Sequence, residues 1–383
     1  MDFELSGELK ALAVEAKAFA AEVVAPGAAG RDRSHTFPRE IVDQAAQRGW
    51  AGFLVPTEYG GVGLGNLAQC VVLEEIAVAC ASTHVTLSVH NSLACGLLAK
   101  WGAAELKGAF LPAMASGEQL GCYLLTEPGA GSDAISLKTT ALLDGGSYVL
   151  NGEKIWITTA DEAGFGVVFA KTDNAPDARP SRAISAFLVD MKSEGVTCGK
   201  REEKLGIRSS TTTAVSFKDV RVPTTQMIGE PGQGFGLAMD TLNGGRIGIS
   251  IQGIGIARAA MEALQDAADA PRSGAVPHGK AQSGSFRVAS MATRIDAARL
   301  LSHRAAVLRD KGVPHVQEAS MAKLFASQMS NDICREAVAA LGESGCTDDF
   351  IVERLMRDAR VTELYEGTTE VQKIVIAKQL GNG

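Results

Sequence analysis

The chain has 383 residues, 46% of them hydrophobic and 21% charged, and a formal net charge of −7. That length is more than one hydrophobic core organises, so two or three packed units are expected, while scattered Lys and Arg on an acidic chain argue against a nucleic-acid partner. No stretch approaches the ~18 uninterrupted apolar residues of a membrane span, and seven cysteines with no Cys-x-x-Cys pair point to reduced thiols in a cytoplasm, with neither a disulfide framework nor a metal site.

From residue 1 to about 118 the sequence reads as helices. It opens on MDFELSGELK, an acidic start without the basic and apolar regions of a targeting peptide. Pro26-Gly27 ends the first helix. Gly60, Gly61, Gly63 and Gly65 then form a loop that lacks the preceding strand and following acid of a dinucleotide site.

Between 119 and 226 β-branched runs take over. Tyr148-Val149-Leu150 and Ile155-Trp156-Ile157-Thr158 flank Asn151-Gly152, which predicts a hairpin turn. Val167 to Ala170, Ala186 to Val189 and Thr213 to Phe217 complete a small antiparallel sheet. From 227 helices return as a four-helix bundle, with buried stripes predicted at Val288, Met291, Ile295 and Ala298 and at Met321, Leu324, Phe325 and Met329. A loop is expected from Ala270 to Ser285. The predicted class is α+β in three domains, 1–118, 119–226 and 227–383.

Four segments carry chemistry: Tyr123-Leu-Leu-Thr-Glu-Pro-Gly-Ala-Gly-Ser-Asp133, Asn151-Gly-Glu-Lys-Ile-Trp-Ile-Thr158, Gly245-Arg-Ile-Gly-Ile249 and Arg357-Asp-Ala-Arg-Val-Thr-Glu-Leu-Tyr-Glu-Gly-Thr368. In this order and spacing they resemble the acyl-CoA dehydrogenase family, over nearly the whole chain. Desaturating an acyl thioester needs a base for the α-proton and an acceptor for the β-hydride, held against the same two carbons.

The resemblance implies Glu366 as the base, with Arg246 on an adjoining helix helping to place its loop. It implies FAD as the hydride acceptor, contacted by Tyr123, Leu125, Thr126, Ser132, Trp156, Thr158, Gln282, Thr368 and Glu370. It implies substrate contacts from Ser132, Asn243, Arg246, Gln252, Thr362 and Gly367, with Gln252 and Thr362 at the floor of a short acyl pocket. Some relatives carry their base just before the helix arginine, where this chain has Gly245, so Glu366 has no rival. The implied partners are a short straight-chain acyl-CoA, an electron-transfer flavoprotein and further copies of the chain in a homodimer or homotetramer.

Each residue also has an ordinary reading. Taken alone, Glu366 would be a solvated loop residue, Trp156 part of the β-domain core, Gln252 a solvent-facing helix residue and Arg246 half of a helix ion pair. The family pattern also breaks in places. The Arg-x-x-Phe-Gly segment is replaced around Pro271-Arg272-Ser273-Gly274-Ala275, with Gln282 kept, and Ala339 and Glu343 stand where relatives have Gln and Gly. These losses fall on the adenosine side of the flavin and imply weaker FAD binding. Two alternatives stand beside the leading one: a dehydrogenase of carrier-protein thioesters, which the sequence separates poorly from it, and a non-catalytic paralogue with a decayed flavin site, which these losses favour.

Overall fold

A computed structural model describes residues 4–173, 179–269, 282–348 and 350–381. The N-terminal helices are α1 (Gly7–Phe19), α2 (Ala28–Ser34), α3 (Arg39–Ala46), α4 (Gly65–Ala79), α5 (Ala81–Ser88), α6 (Gly96–Trp101) and α7 (Ala104–Ala115). Local chemistry starts α1: the Ser6 hydroxyl accepts the Leu9 N–H at 3.3 Å, Glu8 sits in the first turn and Lys17 in the last. Between α5 and α6 the chain runs on as a π-helix, Val89–Cys95, buried along its whole length.

Eight strands follow: β1 (Leu120–Leu124), β2 (Thr140–Asp144), β3 (Ser147–Thr158), β4 (Ala163–Lys171), β5 (Ile184–Asp190), β6 (Val196–Arg201), β7 (Thr212–Pro223) and β8 (Met227–Ile228). Their order is β6-β7-β3-β2-β4-β5-β8, with β1 pairing β4. The sheet is mainly antiparallel, as expected, but β1 lies parallel to β4. This is possible because β1 arrives from the helical unit instead of from a neighbouring hairpin.

The predicted turn at Asn151-Gly152 is overturned. Both residues lie inside β3, at a shift in its register against β7. The Asn151 amide donates to Asp219 Oδ1 at 3.0 Å and its oxygen accepts the Asp219 N–H at 2.9 Å, tying it across the sheet. A Cβ on Gly152 would meet Thr139 at 2.5 Å. The dipeptide thus makes a bulge that lets β3 cross Thr139. The β2 to β3 turn is made instead by Asp144, Gly145 and Gly146, with Gly145 at φ 63.

The C-terminal helices are α8 (Gly234–Asp269), α9 (Gln282–Asp310), α10 (Val316–Leu341), α11 (Val352–Thr362) and α12 (Thr369–Gly381). Helix α8 is long and apolar enough to cross a membrane, yet most of it is buried within the fold. Gln282 to Ser285 are helical instead of loop, whereas Arg272 and its neighbours lie outside the described residues. Of the predicted α9 stripe, Met291, Ile295 and Ala298 are buried and Val288 is half-buried. The predicted α10 stripe holds only in part: Met329 is buried, Met321 and Leu324 are half-buried and Phe325 is exposed, and the covered face also carries Ala319, Ala322, Lys323, Ala326, Ser327 and Ser330. Small side chains let α10 approach α8 closely, which overrides the larger apolar residues.

One apolar cluster joins Phe19, Trp50 and Phe53 to Ile251, Ile254, Met291 and Met329, so the two helical regions share a core. A second cluster brings Val89 and Leu93 together with Tyr123 and Leu125 of the β region and Ile249 of α8. That junction of all three regions is where the motif residues meet.

Candidate active site

Glu366 sits in the short link between α11 and α12, at φ 51, followed by Gly367 at φ 91. Two successive left-handed residues make a sharp reversal, and a non-glycine residue held there costs of order 1–3 kcal/mol, a strain that recurs at functional positions. The surroundings hold it in place. The Gly367 carbonyl accepts from Lys323 Nζ of α10 at 2.8 Å and from Gln372 Nε2 of α12 at 2.9 Å, and the same amide reaches the Glu366 carbonyl at 3.4 Å.

This reversal aims the Glu366 side chain at α8. A Cβ on Gly245 would stand 1.8 Å from Glu366 Oε2 and 3.0 Å from Leu93 Cδ2. The absence of a side chain at 245 is what admits the carboxylate. Both carboxylate oxygens are buried and unpartnered. Burial raises the group to about 7, against the opposing pull of the Lys323 and Arg246 charges. Glu366 is therefore not the solvated loop residue of the ordinary reading.

Arg246 is buried and donates to Asn243 Oδ1 at 2.8 Å and Ser320 Oγ at 3.3 Å. It acts on Glu366 through charge, and no ion pair to a carboxylate is found for it among the described residues. Gln252 is completely buried. Its oxygen accepts from the Tyr365 hydroxyl and its amide donates to the Ala81 carbonyl at 2.8 Å, so it binds the residue next to Glu366 to α5. The buried Thr362 hydroxyl caps the Ala359 carbonyl of its own helix at 2.7 Å. Tyr123 lies under the same site, its hydroxyl donating to the Ala238 carbonyl at 3.4 Å, with its ionisation pushed far upward by burial and by Glu366.

The candidate cofactor residues assemble at the β3 bulge. Trp156 has φ 59 and is 57% exposed, so it is no part of the β core. The N–H of the preceding β3 residue, Ile155, donates to the Thr126 carbonyl at 2.9 Å, which sets Thr126 beside the Trp156 turn. Thr126 and Thr158 are half-exposed, and Ser132 is exposed on its glycine-rich turn. An exposed indole flanked by hydroxyls suits a flat, polar-edged ring such as isoalloxazine, whose apolar face wants cover and whose edge wants hydrogen bonds. Leu125 is buried in the apolar junction. Thr368 accepts the Val371 N–H at 3.4 Å at the start of α12, and Glu370 and Gln282 are exposed.

Three supporting residues escaped the sequence reading. Lys154, with its side chain wholly buried, donates to Glu127 Oε1 at 2.8 Å and to the Leu125 carbonyl at 3.1 Å. Glu127 also takes the Thr139 N–H at 3.0 Å, so this pair fixes the segment carrying Leu125 and Thr126. Lys323, the third, had a signal in the chain: it shares the i, i+3, i+4, i+7 spacing of Ala319, Ala322 and Ala326, a buried stripe with a lysine in it.

The family comparisons agree with this layout. The chain matches the acyl-CoA dehydrogenase N-terminal domain over residues 6–118, the middle domain over 122–220 and the C-terminal domain over 232–381. It is 46% identical over 362 residues to the human mitochondrial short-chain specific acyl-CoA dehydrogenase, covering 94% of this chain and 87% of that one. Among solved structures, butyryl-CoA dehydrogenase from Megasphaera elsdenii superposes with a TM-score of 0.95 at 37% identity, covering 99% of this chain and 100% of that one. A chain solved in work on the electron transferring flavoprotein of Acidaminococcus fermentans gives 0.96 at 39% identity, covering 99% of each.

Proposed function

Since the chain belongs to the acyl-CoA dehydrogenase family, we propose that it desaturates a short straight-chain acyl-CoA to the trans-2-enoyl-CoA with Glu366 as the α-proton base. FAD-dependent acyl-CoA dehydrogenation is the activity of the family to which it belongs. The observation that carries the base assignment is the Glu366 carboxylate: buried, without a partner, poised near neutrality and seated over Gly245. A base tuned close to working pH is ionised often enough to act and basic enough to take a weakly acidic proton.

Thr126, Ser132, Trp156 and Thr158 are the residues that would hold FAD, and the bound flavin would supply the acceptor for the β-hydride. The rest of the chemistry is the chain's own. Removing the α-proton places charge on the thioester oxygen, so a donor must wait there. The Glu366 backbone N–H has no acceptor among the described residues and is our candidate for that role. Burial of the carboxylate keeps water from competing as proton acceptor.

Gln252 and Tyr365, bonded to each other beside the base, support a short pocket. Names of relatives and neighbours support short-chain acyl-CoA as the substrate and an electron-transferring flavoprotein as the acceptor of the reducing equivalents. The cytoplasmic, homo-oligomeric enzyme expected from sequence is retained as part of this proposal, as are the roles of Asn243, Arg246, Thr362 and Gly367 at the substrate.

Glu366→Gln tests the reading. The FAD-loaded variant should bind butyryl-CoA within a few-fold of the parent and lose at least ~10³-fold in the rate of flavin bleaching, as expected when a positioned base is removed. Bleaching at the parental rate would reject the assignment.

A further inference from the structure

Lys323 is 0% exposed, an ammonium carried into the core on the small-residue face of α10. Burying an ammonium costs several kcal/mol unless something compensates, and no ion pair is found for Lys323 among the described residues. Among the described residues its ammonium donates to the Gly367 carbonyl at 2.8 Å. That carbonyl already has a neutral donor, the Gln372 amide at 2.9 Å. A second donor is not needed to satisfy it, so the property that distinguishes Lys323 is its charge.

The charged and titratable groups around it come from every neighbouring element. Glu366 and Glu363 lie on the link after α11, Glu370 on α12 and Arg246 on α8, while Tyr123 of β1 and Tyr365 complete the set facing Glu366. Glu363 is already engaged by Arg360, and Glu370 is exposed to solvent. The buried negative charge with no other partner is Glu366.

We propose that Lys323 is the positioning residue of the base: through the Gly367 carbonyl it fixes the left-handed reversal that aims Glu366 over Gly245, and its charge favours the ionised carboxylate without touching it. The inference rests on Glu366 being the base. Leaving the carboxylate uncontacted matters, because a direct ion pair would lower its proton affinity further and occupy an oxygen, whereas charge at one remove leaves both oxygens open to substrate. The lowering of the Lys323 ammonium to about 8 by burial, partly offset by Glu366, is consistent with this arrangement.

Lys323→Gln keeps a short polar donor and loses the charge; Lys323→Met loses both. In the FAD-loaded enzyme we would measure kcat/KM for butyryl-CoA against pH, together with the butyryl-CoA dissociation constant and the melting temperature. Without the nearby positive charge the ionised carboxylate is less favoured, so the acid limb should move upward from about 7 by about one unit in both variants. At pH 6.5 this is a loss of about tenfold that is recovered above pH 9. Lys323→Met should in addition lower the high-pH plateau, and butyryl-CoA binding should stay within about threefold in both, as expected for a residue that sets the ionisation and aim of the base and not substrate affinity.

Acid limbs coincident with the parent would overturn the proposal. So would loss of folding in both variants, which would make the ammonium a structural element alone. If Glu366→Gln is inactive while the Lys323→Gln limb does not move, this inference fails and the base assignment stands. If Glu366→Gln keeps full activity, the base assignment itself fails.

Discussion

The carboxylate of Glu366 fills the space that a side chain at position 245 would need: its Oε2 lies 1.8 Å from where a Gly245 Cβ would be. One of the two positions can carry a side chain into this space, and here it is Glu366. Gly245→Ala should therefore push the carboxylate off the substrate carbons. We expect kcat/KM for butyryl-CoA to fall ~10²-fold, the penalty typical of a displacement of about 1 Å in a reacting group, while flavin binding at the β3 bulge is kept. Absorbance of bound FAD and steady-state rates on the same sample would check both halves.

The pH dependence follows from burial of the base. Glu366 must be ionised to accept a proton, and burial raises it to about 7. The free enzyme's kcat/KM should therefore rise with pH through about 7 and level off above it. A flat profile between pH 5.5 and 8.5 would be incompatible with this carboxylate as the base.

The same shift has a cost in stability, with a definite sign. The folded group keeps its proton up to about 7, whereas the unfolded one releases it near its ordinary value of 4.5. Between these values unfolding releases a proton, so stability falls as pH rises through the window. Glu366→Gln removes that penalty and should be more stable than the parent by roughly 2–3 kcal/mol at pH 8, with little gain at pH 4.5. Denaturant titrations at the two pH values provide the measurement.

Lys154 makes a contrasting case. Its buried ammonium is paired with Glu127 and bonded to the Leu125 carbonyl, and removing one partner leaves the other charge stranded. Lys154→Met should destabilise the fold by roughly 3–5 kcal/mol and loosen the segment that carries Thr126. Joint replacement with Glu127→Gln, which removes the stranded charge and keeps an acceptor for the Thr139 N–H, should restore part of the melting temperature.

Gln252 joins Tyr365 to the Ala81 carbonyl, next to the base. Gln252→Ala opens volume there. The ratio of kcat/KM for hexanoyl-CoA over butyryl-CoA should rise at least tenfold, in line with ~1–3 kcal/mol per methylene of fit. An unchanged ratio would place the end of the acyl chain elsewhere.

The sequence by itself determined the order of the three regions, because helical and strand periodicities are local, and the motif segments, because each is continuous in the chain. Turn chemistry was read less well. Asn151-Gly152 has the composition of a hairpin turn, yet pairing with Asp219 and the nearness of Thr139 make it a bulge inside a strand. Neither neighbour is visible in the local sequence. The stripe on α10 was read only in part for a related reason: Met329 is buried as expected, but close approach to α8 fills the rest of the covered face with small residues, and only the packing of two helices decides that.

What makes Glu366 a candidate base was decided by tertiary structure alone. Its left-handed backbone, the empty side-chain position at Gly245, the clamp from Lys323 and Gln372, and the burial that brings it near neutrality come from segments distant in the chain. A sequence can name a carboxylate, but its proton affinity depends on desolvation and on charges brought near by folding.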